Sequence, residues 1–286
     1  MSMTTKLAHE VCEKLEIPPE TQTVEVQRVP LSVDTLTAQA SPAVLRPLGF
    51  LVSWQGVLAL AYTGWPPSLL HLKQQLNSAF ASLPKESPGS LWPKTSLGAL
   101  KEGARLTPQQ LDTLTSICKD VSSAFQSVTR PGDGETDSHI VLVDSLSMVT
   151  FECRCLERQL SSKLMMLADR EPDLSAPSNT ESARVQTILK EPEAPGYWFH
   201  ASRDGGRESH YRGNALGVTL AHTLPFFQPA MSSLSHQAAT VSPPRHIIAD
   251  AITTLKSAIE GDPELAGLYA WFEPTSLHVT LRGILG

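Results

Sequence analysis

Ser276-Leu277-His278-Val279-Thr280-Leu281 is the stretch on which the fold reading turns. Successive side chains of a strand point to opposite faces. His278 and Thr280 therefore share one face, and Leu277, Val279 and Leu281 share the other. Upstream, Ile247, Ile248, Ala251, Ile252, Leu255 and Ile259 recur at helical spacing, and Asp262-Pro263 ends that helix. Ala215-Leu216-Gly217-Val218-Thr219-Leu220 reads as a strand before it. The unit is strand, amphipathic helix, strand.

The same grammar occurs earlier in the chain. Val57-Leu58-Ala59-Leu60-Ala61-Tyr62 is a short apolar run that predicts a buried strand. Gly64-Trp65-Pro66-Pro67 turns the chain, and Ser68 is expected to cap a helix whose stripe is Leu69, Leu72, Leu76, Phe80 and Leu83. A strand follows over 93–100. Aligning the two closing strands sets Pro93-Lys94-Thr95-Ser96-Leu97 beside Leu277-His278-Val279-Thr280-Leu281, with Ser96 opposite Thr280. Duplication and chance similarity of strand sequences both remain open at this point.

Between and around these units, Leu7, Val11 and Leu15 predict an N-terminal helix closed by Pro18-Pro19, and Val24-Glu25-Val26 a short strand. Thr107-Pro108-Gln109-Gln110 carries a capping hydroxyl, a proline at the first helical position and a glutamine at the third. It opens a helix buried through Leu111, Leu114, Ile117, Cys118, Val121 and Phe125. Residues 139–143 read as a strand, 149–155 as its partner, 156–167 as a helix, and 197–200 as a strand. Residues 170–195, rich in Glu, Pro, Ser and Asn, read as a linker or long surface loop. The expected organisation is an N-terminal helix and irregular segment (1–47), a first lobe (48–169), the linker (170–195) and a second lobe (196–286).

Charge narrows the functional classes. The chain has a net charge of −6, which gives no footprint for duplex DNA. That leaves room for a small local phosphate pocket. No apolar run approaches the ~18 residues of a membrane span, and no signal-peptide core precedes residue 17. A cytoplasmic location is the expectation. The four cysteines, Cys12, Cys118, Cys153 and Cys155, form neither a disulfide framework nor a zinc pattern, so no metal is expected. Phosphate-loop, dinucleotide, His-Glu-x-x-His and nucleophile-elbow motifs are all missing from the sequence, and no cofactor is expected.

Strand, helix and a His-hydrophobic-Thr strand together resemble one lobe of the two-histidine (2H) phosphoesterase superfamily, which includes the RNA ligase-like 2′,5′ and cyclic phosphodiesterases. The resemblance rests on about 110 residues in two separated segments. It implies an α+β fold of two pseudo-symmetric lobes, with mostly antiparallel sheets and outer helices. It also implies that His278 and Thr280 lie in a shared groove, with the second motif at Lys94 and Ser96. There the chain departs from the family, because lysine stands where the family has histidine. In the implied chemistry His278 is the acid/base, Thr280 and Ser96 hold phosphoryl oxygens, and Lys94 is an electrostatic clamp without a metal. Lysine is no general base unless burial lowers its pKa by several units.

Two readings follow. One is a phosphoesterase acting on a cyclic or 2′,5′-linked nucleotide or a short RNA end. The other is a degenerate relative that binds a nucleotide, an RNA end or a protein partner without turnover. Residues 202–213 add Arg203, Arg207, His210 and Arg212 as substrate-binding candidates, because guanidinium groups recognise phosphate in bidentate fashion. A solvated hairpin tip is the alternative for that cluster. His222 has the wrong spacing for the cradle and reads as an end-of-strand residue, and His71 reads as a surface residue of its helix.

Overall fold

The computed structural model describes residues 32–80, 83–86, 88–126, 140–204, 207–224 and 246–285. The expected N-terminal helix and the strand at 24–26 lie outside the described residues, as do Gly205 and Gly206 of the arginine-rich segment. Helix α1 (Val33–Gln39) is capped by the Ser32 hydroxyl, which accepts from the Thr35 N–H. Strands β1 (Ala43–Leu45), β2 (Pro47–Val52) and β3 (Leu58–Tyr62) lead into helix α2 (Pro67–Ala79). Strand β4 (Lys94–Leu100) and helix α3 (Pro108–Gln126) follow. Next come β5 (Val141–Val143), β6 (Ser145–Phe151), β7 (Gln159–Met166) and helix α4 (Asn179–Lys190). Short helices α5 (Tyr197–Ala201) and α6 (Glu208–Arg212) precede β8 (Gly217–Thr223). Helix α7 (Ile247–Gly261), β9 (Tyr269–Trp271) and β10 (His278–Leu285) complete the chain.

The fold is α+β, and its two main sheets are antiparallel throughout. One runs β2-β3-β4-β9 and the other β10-β8-β6-β7, with a small β1-β5 ribbon beside them. In each sheet the strand before the long helix pairs with the strand that closes the unit. Ala61 lies opposite Lys94 and Ala59 opposite Ser96. In the second sheet Thr223 lies opposite His278 and Ala221 opposite Thr280. A 3-10 turn precedes each closing strand, at Pro88–Ser90 and at Pro274–Ser276. The sheets do not follow the division into 48–169 and 196–286. Strand β9 crosses back to the first sheet, and β6-β7 belong to the second.

A single large core cluster joins the two sheets. Leu58, Leu60 and Leu97 from the first meet Leu220, Val279 and Leu281 from the second. Helix α2 adds Leu69, Leu72 and Leu76, and α7 adds Ile248, Leu255 and Ile259. Each such side chain contributes about 1.5–3 kcal/mol on full burial. Alternation along β4 and β10 sends Leu97, Ala99, Val279 and Leu281 into this core. It leaves Lys94, Ser96, His278 and Thr280 half-buried on the other face.

Several sequence expectations are corrected. Residues 159–166 form a strand, not a helix. Their Leu, Lys and Met content favours a helix, but pairing with β6 across the whole length decides the outcome. Residues 197–201 are a short helix, not a strand, pinned by the Tyr197 hydroxyl donating to the Val52 carbonyl at 2.9 Å. The 170–195 segment is docked and carries α4, capped by Ser178, with Val185 fully buried. Gly64, at φ +140, lies beneath it, and a Cβ there would come within 2.9 Å of Pro177. Ser68 is not a cap. Its N–H donates to the Asp173 carboxylate at 3.0 Å, and Pro66 stands at the cap position. The partner of β5 is β1 rather than the expected strand at 149–155, of which 149–151 end β6 and 152–155 turn into the next strand. The capping box at Thr107 and Gln110 is present in both directions, at 2.9 and 3.1 Å.

Candidate functional site

Strand β9 pairs with Gly98, Ala99 and Leu100, so among the described residues the first half of β4 has no strand on that side. Strand β10 is the edge of its own sheet. These two ends pack together without forming a ladder and open a cavity of about 240 Å³ between them. Lys94, Ser96, His278 and Thr280 all line it, with Trp92, Tyr211 and Phe272 as aromatic walls. The alanines opposite Ser96 and Thr280, Ala59 and Ala221, are the small residues at matched places in the two ladders.

Each half of the site uses a carbonyl from its own 3-10 turn. His278 Nδ1 donates to the Ser276 carbonyl at 2.7 Å. That bond assigns the proton to Nδ1 and leaves the Nε2 lone pair available. Burial lowers the His278 pKa below the usual imidazole value, and the nearby Lys94 charge lowers it further against the Ser276 hydrogen bond. The imidazole is thus neutral at neutral pH. Lys94 Nζ donates to the Gly89 carbonyl and lies 4.6 Å from the centre of the Trp92 ring. Burial, reinforced by the charge of Lys73, brings its pKa down to about 8. The shift runs in the direction that a basic lysine requires, but it leaves the amine mostly protonated at pH 7. The hydroxyls of Ser96 and Thr280 make no hydrogen bond among the described residues, so both are free to donate.

Two buried cations hold the loop that borders the cavity. Lys73, 4% exposed, donates to Glu86 at 2.5 Å, to the Ser90 carbonyl at 2.9 Å and to the Leu281 carbonyl of β10 at 2.5 Å. Arg282, 3% exposed, donates to Asn77 at 2.9 Å and to the carbonyls of Pro84 and Gly283. The turn before Lys94 is in this way tied to the strand that carries His278. Buried cations persist when their donors are answered, and here each meets three oxygen acceptors, one of them for Lys73 the Glu86 carboxylate.

The arginine-rich segment has a different place. It is built as α5 and α6 rather than as a hairpin, and Arg203, Arg207, His210 and Arg212 line none of the described cavities. Arg212 forms a bidentate pair with Glu157 at 2.8 and 2.9 Å, and also meets Glu208 at 2.7 Å and the Trp271 carbonyl at 2.7 Å. It is a latch between the β6-β7 hairpin, α6 and β9. Arg207 is buried and paired with Asp204 at 3.4 Å. His210 is exposed, packed edge-on against Tyr211, and Arg203 is exposed. Tyr211 is the member of this segment that reaches the cavity.

The residue missed from sequence is Arg154, in the β6-β7 hairpin. It is exposed, lines the cavity and makes no hydrogen bond or ion pair among the described residues. The hairpin is fastened by the Cys155 N–H donating to the Tyr211 carbonyl and by Leu156, 3% exposed, in the left-handed region at φ 60. No local pattern marks Arg154. Trp92 and Ser276 had a signal, since each stands two residues before a motif residue. His222 is buried and bonded through Nδ1 to the Ser145 carbonyl at 2.9 Å, on the face away from the cavity residues. Cys153 and Cys155 are buried thiols 3.6 Å apart. Among the described residues no three His, Cys, Asp or Glu side chains group as metal ligands, and no helix is long and apolar enough to cross a membrane. Comparison with protein-family models, with curated proteins and with solved structures finds no match for the chain.

Proposed function

We propose that the groove opens a cyclic phosphate, or cleaves a 2′,5′-linkage, at a nucleotide or RNA end, as a phosphodiesterase of the two-histidine kind with one histidine replaced by lysine. One observation carries the reading: Lys94, Ser96, His278 and Thr280, from matched positions of two strands, line one cavity. In this scheme neutral His278 takes a proton from water through Nε2, and the water oxygen bonds to phosphorus. Lys94, protonated below about pH 8, gives a proton to the departing ribose oxygen as the P–O bond breaks. Ser96 and Thr280 donate to the non-bridging oxygens, where charge develops. Environments that push two titrating groups toward complementary protonation states are the usual basis of an acid/base pair. The products are a nucleotide monoester and a free hydroxyl.

The test is a panel of 2′,3′-cyclic nucleotides and 2′,5′-linked dinucleotides, with products separated by chromatography. Turnover by the wild type that is lost in His278→Ala supports the reading. A second reading, binding without turnover, is favoured by the bond from Lys94 to the Gly89 carbonyl, which engages one of the three donors of the ammonium. Saturable binding of the same nucleotides with no product would select it.

A further inference from the structure

A second cavity of about 200 Å³ continues the first. The two share Arg154, His278, Thr280 and Gly283, and the second adds Lys85 from the loop that Lys73 and Arg282 hold. Among the described residues no carboxylate side chain lines either cavity, although the chain as a whole carries a net charge of −6. Lys85 is exposed, and like Arg154 it makes no ion pair among the described residues. Arg282 also lines the second cavity, but its donors are taken by Asn77 and by the carbonyls of Pro84 and Gly283. Two uncommitted cations therefore face a space adjoining the proposed phosphate position, and one of them borders both spaces.

Their placement is fixed by the surrounding structure. The Pro84 carbonyl, immediately before Lys85, accepts from Arg282 at 2.5 Å, and the Glu86 carboxylate, immediately after it, accepts from Lys73 at 2.5 Å. Both neighbours of Lys85 are thus anchored to buried cations, one through its backbone and one through its side chain. Arg154 stands in a hairpin closed by the Glu152 N–H donating to the Arg158 carbonyl at 2.9 Å. A guanidinium can contact two oxygens at once, and an ammonium can answer a further one, which suits consecutive phosphates of a single strand.

We infer that the ligand is an oligonucleotide end rather than a lone nucleotide, with a second phosphate held by Arg154 and Lys85 in the cavity beside the reactive one. This rests on the phosphate-binding reading of the His278 groove, though not on turnover. The probes are adenosine 3′-monophosphate and triadenylate ending in a 3′-phosphate, neither of which contains a cyclic bond to open. Binding is measured by titration calorimetry over a range of salt concentrations, on wild type and on the double variant Lys85→Ala/Arg154→Ala.

Wild type is expected to bind the trinucleotide at least ten-fold more tightly. Its salt slope should be steeper by about 0.7 for each added phosphate contact. In the double variant the advantage should fall below threefold, with the extra slope lost. Equal affinities in wild type, or an advantage that survives the double substitution, would overturn the inference while leaving a cyclic-nucleotide activity standing. An advantage that is lost as expected, in a protein that opens no cyclic phosphate, would sustain the inference and remove the catalytic reading. Failure to bind either probe would remove both.

Discussion

The two halves of the groove share a backbone plan and differ in proton chemistry. On both sides a 3-10 turn leads into a closing strand, its first and third residues face the cavity, and a turn carbonyl accepts from the first side chain. For His278 that hydrogen bond does two things: it orients the ring and decides which nitrogen is basic. For Lys94 it only occupies one of three equivalent donors on a long chain. The same device therefore makes a defined base on the β10 side and a tethered cation on the β4 side. Burial lowers both pKa values, but from different starting points. That leaves the imidazole neutral and the amine mostly charged at pH 7. The halves are alike in position and complementary in protonation.

Four experiments would break or sharpen this contrast. The largest effect belongs to His278→Ala, expected to lower kcat for cyclic-phosphate opening by roughly 10²–10⁴-fold, the usual contribution of a general base. A loss under ten-fold in initial-rate measurements would refute the assignment of the base to the β10 half. Next is Lys73→Met, which strips Glu86 and the carbonyls of Ser90 and Leu281 of their shared donor. Urea denaturation should show a loss of about 3 kcal/mol, the scale for breaking a buried pair by removing one partner.

Third, Lys94→Met should stabilise the protein at pH 7 by up to about 3 kcal/mol, because the depressed pKa means that the folded state holds this proton less readily than the unfolded chain. The sign fixes the pH dependence. Wild-type stability gains from Lys94 deprotonation between about pH 8 and the unfolded value near 10.5, so the advantage of the variant shrinks across that window. The depressed pKa of His278 acts in the same sense at lower pH, and stability falls with acidification below about 6.5. Denaturation midpoints at several pH values would reveal a flat difference if Lys94 were an ordinary solvated amine. The smallest effect is in Lys94→His. There the basic limb of kcat/KM should move from about pH 8 toward the imidazole range, by about one unit. An unmoved limb would show that the β4 residue does not titrate in the reaction.

What was readable in the sequence was mostly local. The reciprocal Thr107 and Gln110 cap and the two-residue alternation of Lys94 with Ser96 and of His278 with Thr280 are set by neighbours in the chain, and they stand as expected. Strand β7 was not readable, because Leu160, Lys163, Leu164 and Met165 favour a helix and only pairing with β6 makes them extended. Nor was the fate of Arg212, whose carboxylate partner Glu157 lies 55 positions away. Arg154 fell between these cases. It sits in a hairpin whose position depends on a sheet assembled from distant segments, and nothing in its neighbours announces an anion contact.

The exchange of strands between the two sheets has a consequence for how the molecule comes apart. Strand β9 leaves the second unit to complete the first sheet, and β6 and β7 leave the first half to complete the second. A gene cut between the two strand-helix-strand units would give two fragments that each lack strands of their own sheet. Neither piece is a foldable half, and heating should melt both sheets together in one calorimetric transition.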